Sequence, residues 1–320
     1  MCIVPFGILR HHTLNVSTYL RKQNSMSDYI NYIDFNTLKL ADLANELGDY
    51  NLAIQNYSKA LSRLRKYQGD RMQPIMMASD LVQKIDKLNN CNSKGKPILR
   101  FETWTLTKSS FVKGSQCTKY LFLDKHKKKE KTPISEEKRI LFKQGHSFEN
   151  TVREIEFPNG KNIKDVVGNF AYFNSYTKHL LTNQGKQILY EATIIENDVL
   201  VMCDVLVKND SELIDIYEIK LNTKLNNAIL NDLAIQYYIC KVRFGDKLNS
   251  FNLVLRTDEA GEKWSILDLK NDLEELQAEV KNKINGFKTI LKEDEPNISM
   301  REQCNQPYEC EFIEYCKNKC

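Results

Sequence analysis

Two short apolar runs carry charges at positions where strand side chains would be buried. Val199–Val207 is interrupted by Asp204, and Leu213–Leu221 carries Glu218 and Lys220 just after Ile214 and Ile216. Side chains alternate across a strand, so Ile214, Ile216, Glu218 and Lys220 share one face. Asp204 likewise shares its face with Leu200, Met202 and Leu206. Burying a bare carboxylate costs on the order of several kcal/mol unless it is paired or metal-bound. On central strands, Asp204, Glu218 and Lys220 must therefore satisfy one another or hold a cation. On edge strands, Glu218 and Lys220 would be an ordinary ion pair on a wet face. Asp204 and Glu218 lie fourteen residues apart across a short turn, Asn209 to Glu212, which can bring their strand ends together. His146, directly after Gly145, is a candidate imidazole ligand on the preceding helix, or an ordinary surface histidine. Glu191, among Leu189, Thr193 and Ile195, reads as an accessory ligand, a partner for Lys220, or a structural hydrogen-bonding group.

The cysteines pose a second question. Four of nine, Cys304, Cys310, Cys316 and Cys320, fall in the last seventeen residues, and Cys2, Cys91, Cys117, Cys203 and Cys240 are scattered. Nine in 320 residues is too sparse for a disulfide framework, and the count is odd. Four thiolates suit a tetrahedral zinc or a [4Fe–4S] cluster. Zinc sites favour paired Cys-X2-Cys hairpins, whereas the gaps here hold five, five and three residues. Cys203 and Cys240 read as core packing.

These groups must be held by a framework that the rest of the chain supplies. The 320 residues fit about two domains. With 42% hydrophobic residues and 28% charged, collagen-like and largely disordered classes are excluded. The net charge of +4 permits nucleic-acid binding through a local patch without demanding it. No run approaches the roughly 20 apolar residues of a membrane span. The nine apolar residues at the start precede Arg10, His11 and His12, the reverse of a secretory signal. A cytoplasmic protein in a reducing compartment, without a membrane partner, is expected. Residues 1–33 show no firm pattern, and Met26 is an alternative start. Residues 34–95 read as a helical module, closing with a helix over Ile75–Leu88 and a linker over Asn89–Pro97. Residues 100–320 read as an α/β domain. Its expected elements are a helix Thr107–Asp124 capped by Thr107, a basic loop Lys125–Lys131 and a helix Glu136–Glu156. A meander of Ile188–Ile195, Val199–Val207 and Leu213–Leu221 follows, then a helix Ala228–Lys241. Strands Phe251–Arg256 and Trp264–Leu267 and a helix Asp272–Lys292 complete a mixed-pairing core.

Two resemblances attach to these segments. Ala41, Gly48, Tyr50, Ala53, Tyr57 and Ala60 sit at the small and aromatic positions of one tetratricopeptide unit, with no second copy. Gly145-His146, Cys203-Asp204-Val205-Leu206, Tyr217-Glu218-Ile219-Lys220 and Asp232-Leu233-Ala234-Ile235-Gln236-Tyr237-Tyr238, in that order, resemble the PD-(D/E)XK nuclease superfamily. The RecB-like branch, which includes the CRISPR-adaptation exonucleases, is the nearer likeness. Leu106–Phe111 through Cys117 resembles that branch's first helix with its single cysteine, and Cys304 to Cys316 its three-cysteine closure. The resemblance implies a restriction-endonuclease-like core, a mixed β-sheet flanked by helices, beside the N-terminal all-α module. It implies Mg²⁺ or Mn²⁺ held by Asp204, Glu218, His146 and the carbonyl of Ile219, with Lys220 at the attacking water and Gln236 orienting Lys220 or a phosphate. It also implies a [4Fe–4S] cluster on Cys117, Cys304, Cys310 and Cys316, with zinc as the alternative and Cys320 as a replacement ligand. Position 240, where the branch carries tyrosine, is Cys240, and Tyr237 and Tyr238 are out of register with it. The implied activity is metal-dependent, exonuclease-like hydrolysis of DNA at single-stranded or frayed ends. A catalytically inactive nucleic-acid-binding or scaffold protein, and an adaptor binding a protein partner through the helical module, are the rival expectations.

Overall fold

The computed structural model describes residues 29–91, 95–258 and 263–319. Most of the 1–33 segment, Met26 included, and Cys320 lie outside the described residues, as do parts of the 89–97 linker. The chain divides into two compact units. One runs up to Arg100 and also takes in Asp165–Tyr172; the other comprises Phe101–Lys164 and Phe173 onward.

The first unit contains helices α1 (Phe35–Glu46), α2 (Tyr50–Leu64) and α3 (Met72–Asn89). Asp34 accepts from the amide of Thr37 at 3.0 Å and so caps α1, leaving fewer orphan donors at its start. Asp49 does the same for α2 and also accepts from the amide of Ile98, tying the trailing strand-like segment to the α1–α2 corner. Ala41, Ala53, Tyr57 and Ala60 are buried. Gly48 takes φ +79° at the corner, a left-handed conformation that favours glycine. Residues 165–172 join this unit through a close approach: a Cβ on Gly168 would lie 2.9 Å from the carbonyl oxygen of Asn36.

The second unit is a mixed seven-stranded sheet flanked by helices. Its strands are β1 (Leu106–Thr107), β2 (Lys161–Asn162), β3 (Gln187–Glu196), β4 (Val199–Lys208), β5 (Ile214–Lys220), β6 (Leu248–Arg256) and β7 (Trp264–Asp268). The order is β2-β3-β4-β5-β6-β7, with β1 added beside β4. The β3-β4-β5 meander is antiparallel, β5 and β6 are parallel, and β6 and β7 antiparallel. β3 occupies the whole of one edge of β4. The other edge is shared: β1 pairs with Val199 and Leu200, and β5 with Val205 to Lys208. Residues 201–204 of β4 therefore face a gap between β1 and β5.

The flanking helices are α4 (Lys108–Gln116), α5 (Thr118–His126), α6 (Glu136–Glu156), α8 (Phe173–Leu181), α9 (Asn227–Phe244), α10 (Lys270–Glu274), α11 (Gln277–Ile290) and α12 (Ile313–Lys317), while α7 (Ile163–Val167) begins in this unit and ends in the first. Two expected helices are each divided. Thr107–Asp124 breaks at Cys117, whose backbone is extended (φ −162°, ψ 123°), and Asp272–Lys292 breaks between Glu274 and Gln277. The Lys125–Lys131 loop is the end of α5 followed by a short 3₁₀ turn. Phe148 and Val152 bury the C-terminal half of α6 against Val205, Val207, Ile219 and Val254. Each such side chain contributes roughly 1.5–3 kcal/mol on burial, enough to fix the helix over the sheet. Among the described residues no helix is long and apolar enough to cross a membrane.

Candidate active site

Both ladders of β4 break at Asp204. On the β3 side, pairing holds at Tyr190↔Val205 and Ala192↔Cys203, yet the intervening pair, Glu191 with Asp204, is missing. Glu191 has φ +54°, a left-handed conformation in mid-strand that a non-glycine residue adopts only at a cost. Arg153, from the buried face of α6, takes the freed position: its Nη2 donates to the Asp204 carbonyl at 2.7 Å and lies 3.3 Å from Glu191 Oε1. On the β5 side the last paired residues are Val205 and Tyr217, so Asp204 and Glu218 would be the next opposed pair. There the side chain replaces the ladder, and Asp204 Oδ2 accepts from the amide of Ile219 at 2.7 Å. Three carboxylates thus stand in register across three strands. Opposed like charges destabilise a sheet, and the ladder yields at that row.

Glu218 and Gln236 are almost wholly buried. Lys220 Nζ lies 2.7 Å from Glu218 Oε1 and 2.7 Å from Asp232 Oδ2. A second ammonium group enters from the gap beside β1: Lys108 Nζ lies 2.6 Å from Glu218 Oε1, 2.9 Å from Gln236 Oε1 and 3.5 Å from Asp232. Glu218 Oε2 and Gln236 Nε2 are buried with no hydrogen-bond partner. Glu149, on α6, pairs with Arg153 and is close enough to Asp204 and Glu218 to act on their charge.

Burial, reinforced by the Glu218 charge, pushes the Asp204 carboxyl well above the ordinary aspartate range. Burial also raises Glu149. Burial alone would raise Glu218 and Asp232 too, but the Lys108 and Lys220 ammonium groups pull both below their ordinary values. Lys220 is the mirror case: desolvation opposes its charge, and Glu218 and Asp232 more than restore it. With every group ionised, Asp204, Glu218, Asp232, Glu149 and Glu191 face Lys108, Lys220 and Arg153, a surplus of two negative charges.

The structure gathers Asp204, Glu218, Ile219, Lys220 and Gln236. It does not gather His146, whose side chain is 73% exposed and whose nearest carboxylate is Glu149 at 3.6 Å. His146 sits three residues before Glu149, so the sequence identified the correct stripe of α6 while the buried acid lies one turn further on. Lys108, Asp232, Glu149 and Arg153 were not identified as site residues from the sequence. Only Asp232 had a signal, as the first residue of the motif that ends in Tyr238. Glu191 contacts Arg153 rather than Lys220.

Cys117, Cys304, Cys310 and Cys316 are free thiols lining one open cavity. Tyr120, Phe122, Leu123 and Phe312 pack around Cys117, Cys310 and Cys316. Burial pushes Cys310 up to about 11, and the other three thiols add to the shift. The amide of Phe312 donates to Cys310 Sγ at 3.5 Å. Glu311 binds the two sides of the closure together, with Lys113 and Lys131 both 3.0 Å from its Oε2 and Tyr120 donating to the same oxygen. Of the basic run, Lys131 is held here and at Asp124, and Lys127 pairs with Glu295, so both are structural. Cys203 and Cys240 are buried, with sulfurs 3.8 Å apart.

Among the described residues no three His, Cys, Asp or Glu side chains converge closely enough to ligate a single metal ion. In the acid site the lysine heads lie between the carboxylates; in the cavity the thiols surround a space rather than a point. No protein-family model matches this chain, and no curated protein is similar to it at a significant level.

Proposed function

We propose that this chain is a metal-dependent nuclease with a restriction-endonuclease-like core that hydrolyses DNA from single-stranded or frayed ends. The observation that carries this reading is the meeting of Asp204, Glu218 and Lys220 at a break in a central strand, with one buried Glu218 oxygen unpartnered. That orphan oxygen, the raised Asp204 and the surplus negative charge fit Mg²⁺ or Mn²⁺, hard ions that prefer oxygen ligands. Asp204 and Glu218 would hold the ion, with the Ile219 carbonyl beside them. When bound, the ion supplies Lewis-acid polarisation of a phosphoryl oxygen and a more acidic water. Lys220 places an ammonium group where negative charge grows on the phosphorane oxygens. Arg153 fixes the Asp204 carbonyl, and the break in the ladder frees the side chain to face the gap.

The free half of α6 supports a nucleic-acid substrate. Arg139, Phe142, His146 and Glu149 recur every three or four residues and so share one stripe that leads outward from the acids. Phe142 is 57% exposed there. An exposed aromatic one turn from Arg139 suits an unpaired base and its phosphate. Exposed Met72, Ile75 and Met76 on α3 support a protein partner for the helical unit.

The thiol cavity fits a [4Fe–4S] cluster. Each iron takes one thiolate, so the four sulfurs stand apart, whereas one zinc draws all four to about 2.3 Å. Its role here is bracing.

The test is cleavage of end-labelled single-stranded and duplex DNA by anaerobically purified protein with Mg²⁺ or Mn²⁺. Lys220→Ala and Asp204→Asn are expected to lower the rate by about 10²–10³-fold. Activity that survives both variants refutes the assignment. DNA binding without cleavage under either metal would instead support the inactive binding protein.

A further inference from the structure

Lys108 is placed with unusual firmness for a lysine. β1 ends at Thr107, and a capping box turns the chain directly into α4: Thr107 Oγ1 accepts from the Ser110 amide and Ser110 Oγ from the Thr107 amide. The first residue of that helix is Lys108. β1 lies against the start of β4, so the turn delivers the ammonium group into the gap that exposes Asp204.

Lys108 and Lys220 crowd the same oxygen of Glu218, at 2.6 and 2.7 Å, while the other oxygen has no partner. Both also reach Asp232. Glu218 therefore keeps one ammonium partner if the other leaves. Lys220 lies closer to Asp232, at 2.7 Å against 3.5 Å, and the Gln236 oxygen at 2.9 Å gives Lys108 a partner outside the pair of acids. Lys108 can leave Glu218 without losing every partner. Resting on the nuclease reading above, we infer that Lys108 is a resident cation that competes with the divalent ion for Glu218 and sets how tightly the site takes it. Gln236 holds the displaced ammonium group within reach of the acids, where it can meet a phosphate. Lys108 is a positioning residue in this scheme, since it acts through Glu218.

The test is calorimetric titration of the full-length protein with Mn²⁺ alone, with Asp204→Asn identifying the heat that belongs to this site. Lys108→Met is expected to bind Mn²⁺ about tenfold more tightly, because one opposing charge beside the ligand is gone. Lys108→Arg keeps the charge and should stay near the wild-type affinity. Equal or weaker binding by Lys108→Met overturns the inference and leaves the nuclease reading intact. A wild-type protein that takes up no Mn²⁺ at this site overturns both. A second measurement needs no variant: amine-reactive labelling of wild-type protein, read by mass spectrometry, should rise several-fold at Lys108 when Mn²⁺ is added. Labelling that is unchanged or reduced overturns the inference.

Discussion

The acid site and the thiol cavity hold their polar groups in opposite ways. In the acid site, charges of both signs are packed together with two negative charges in excess, and the backbone is distorted to admit them. In the cavity, four cysteines come together from the Cys117 helix break and the C-terminal segment beside aromatic packing, and Glu311 with its lysines ties the two sides together. The first arrangement costs stability, which the proposed nuclease activity would explain; the second uses its surroundings to hold the fold closed. The contrast separates residues that should affect rate from residues that should affect stability.

The sharpest way to break this contrast is Asp204→Asn. Its amide oxygen can still accept from Ile219, so the fold survives, while cleavage should fall by about 10³-fold in an end-labelled DNA assay. Because burial raises the native pKa of Asp204, the unfolded chain ionises first as pH rises. The raised group therefore opposes folding once pH passes the unfolded aspartate pKa, increasingly so until pH passes its higher native value, and at full strength beyond it. Asp204→Asn should consequently raise Tm at pH 7. A lowered Tm would place Asp204 with the stabilising groups instead.

Next in size, Cys117→Ser and Cys310→Ser should each abolish bound iron and acid-labile sulfide and lower Tm. The DNA-cleavage rate of whatever remains folded should change far less than in Asp204→Asn. Full iron content in both variants would remove the cluster from the cavity. Phe142→Ala should raise KM for single-stranded DNA by about tenfold with little change in kcat, in line with the loss of one stacked base. An unchanged KM would detach α6 from the substrate path.

The smallest effect concerns Glu311. Burial would raise its pKa, yet Lys131 and Lys113 hold it down at about 2. A depressed carboxylate stabilises the fold above its unfolded pKa, and that contribution is lost as pH falls from about 4.5 to about 2. Glu311→Gln should therefore lose about 1–2 kcal/mol at pH 7 and show a shallower decline in that acid window by chemical denaturation.

The legible part of the site was the part on strands. Asp204, Glu218 and Lys220 stood out because a charge breaks a period of two in an apolar run. The meander, the long α6 helix and the Thr107 cap were likewise visible in local pattern. Lys108, Arg153 and Glu149 were not, because a charged residue on a helix is the commonest thing a surface helix carries, and burial alone sets these apart. The break at Cys117 was hidden as well. Residues on both sides of it favour a helix, and the extended backbone at 117 comes from docking against residues nearly two hundred positions later.

That docking has a consequence for how the protein is made. Lys113 waits for Glu311, 198 residues downstream, and Gln116 for the carbonyls of Gln303 and Tyr308. At about 5–20 residues per second, roughly 10–40 s of translation separates those partners. For that interval α4 and α5 emerge from the ribosome with Cys117 uncovered and Tyr120 without its Phe312 neighbour. A cluster held by all four thiols, as proposed above, would therefore be completed only after residue 316 has left the exit tunnel, and a nascent chain stalled before that point should remain metal-free and sensitive to proteases.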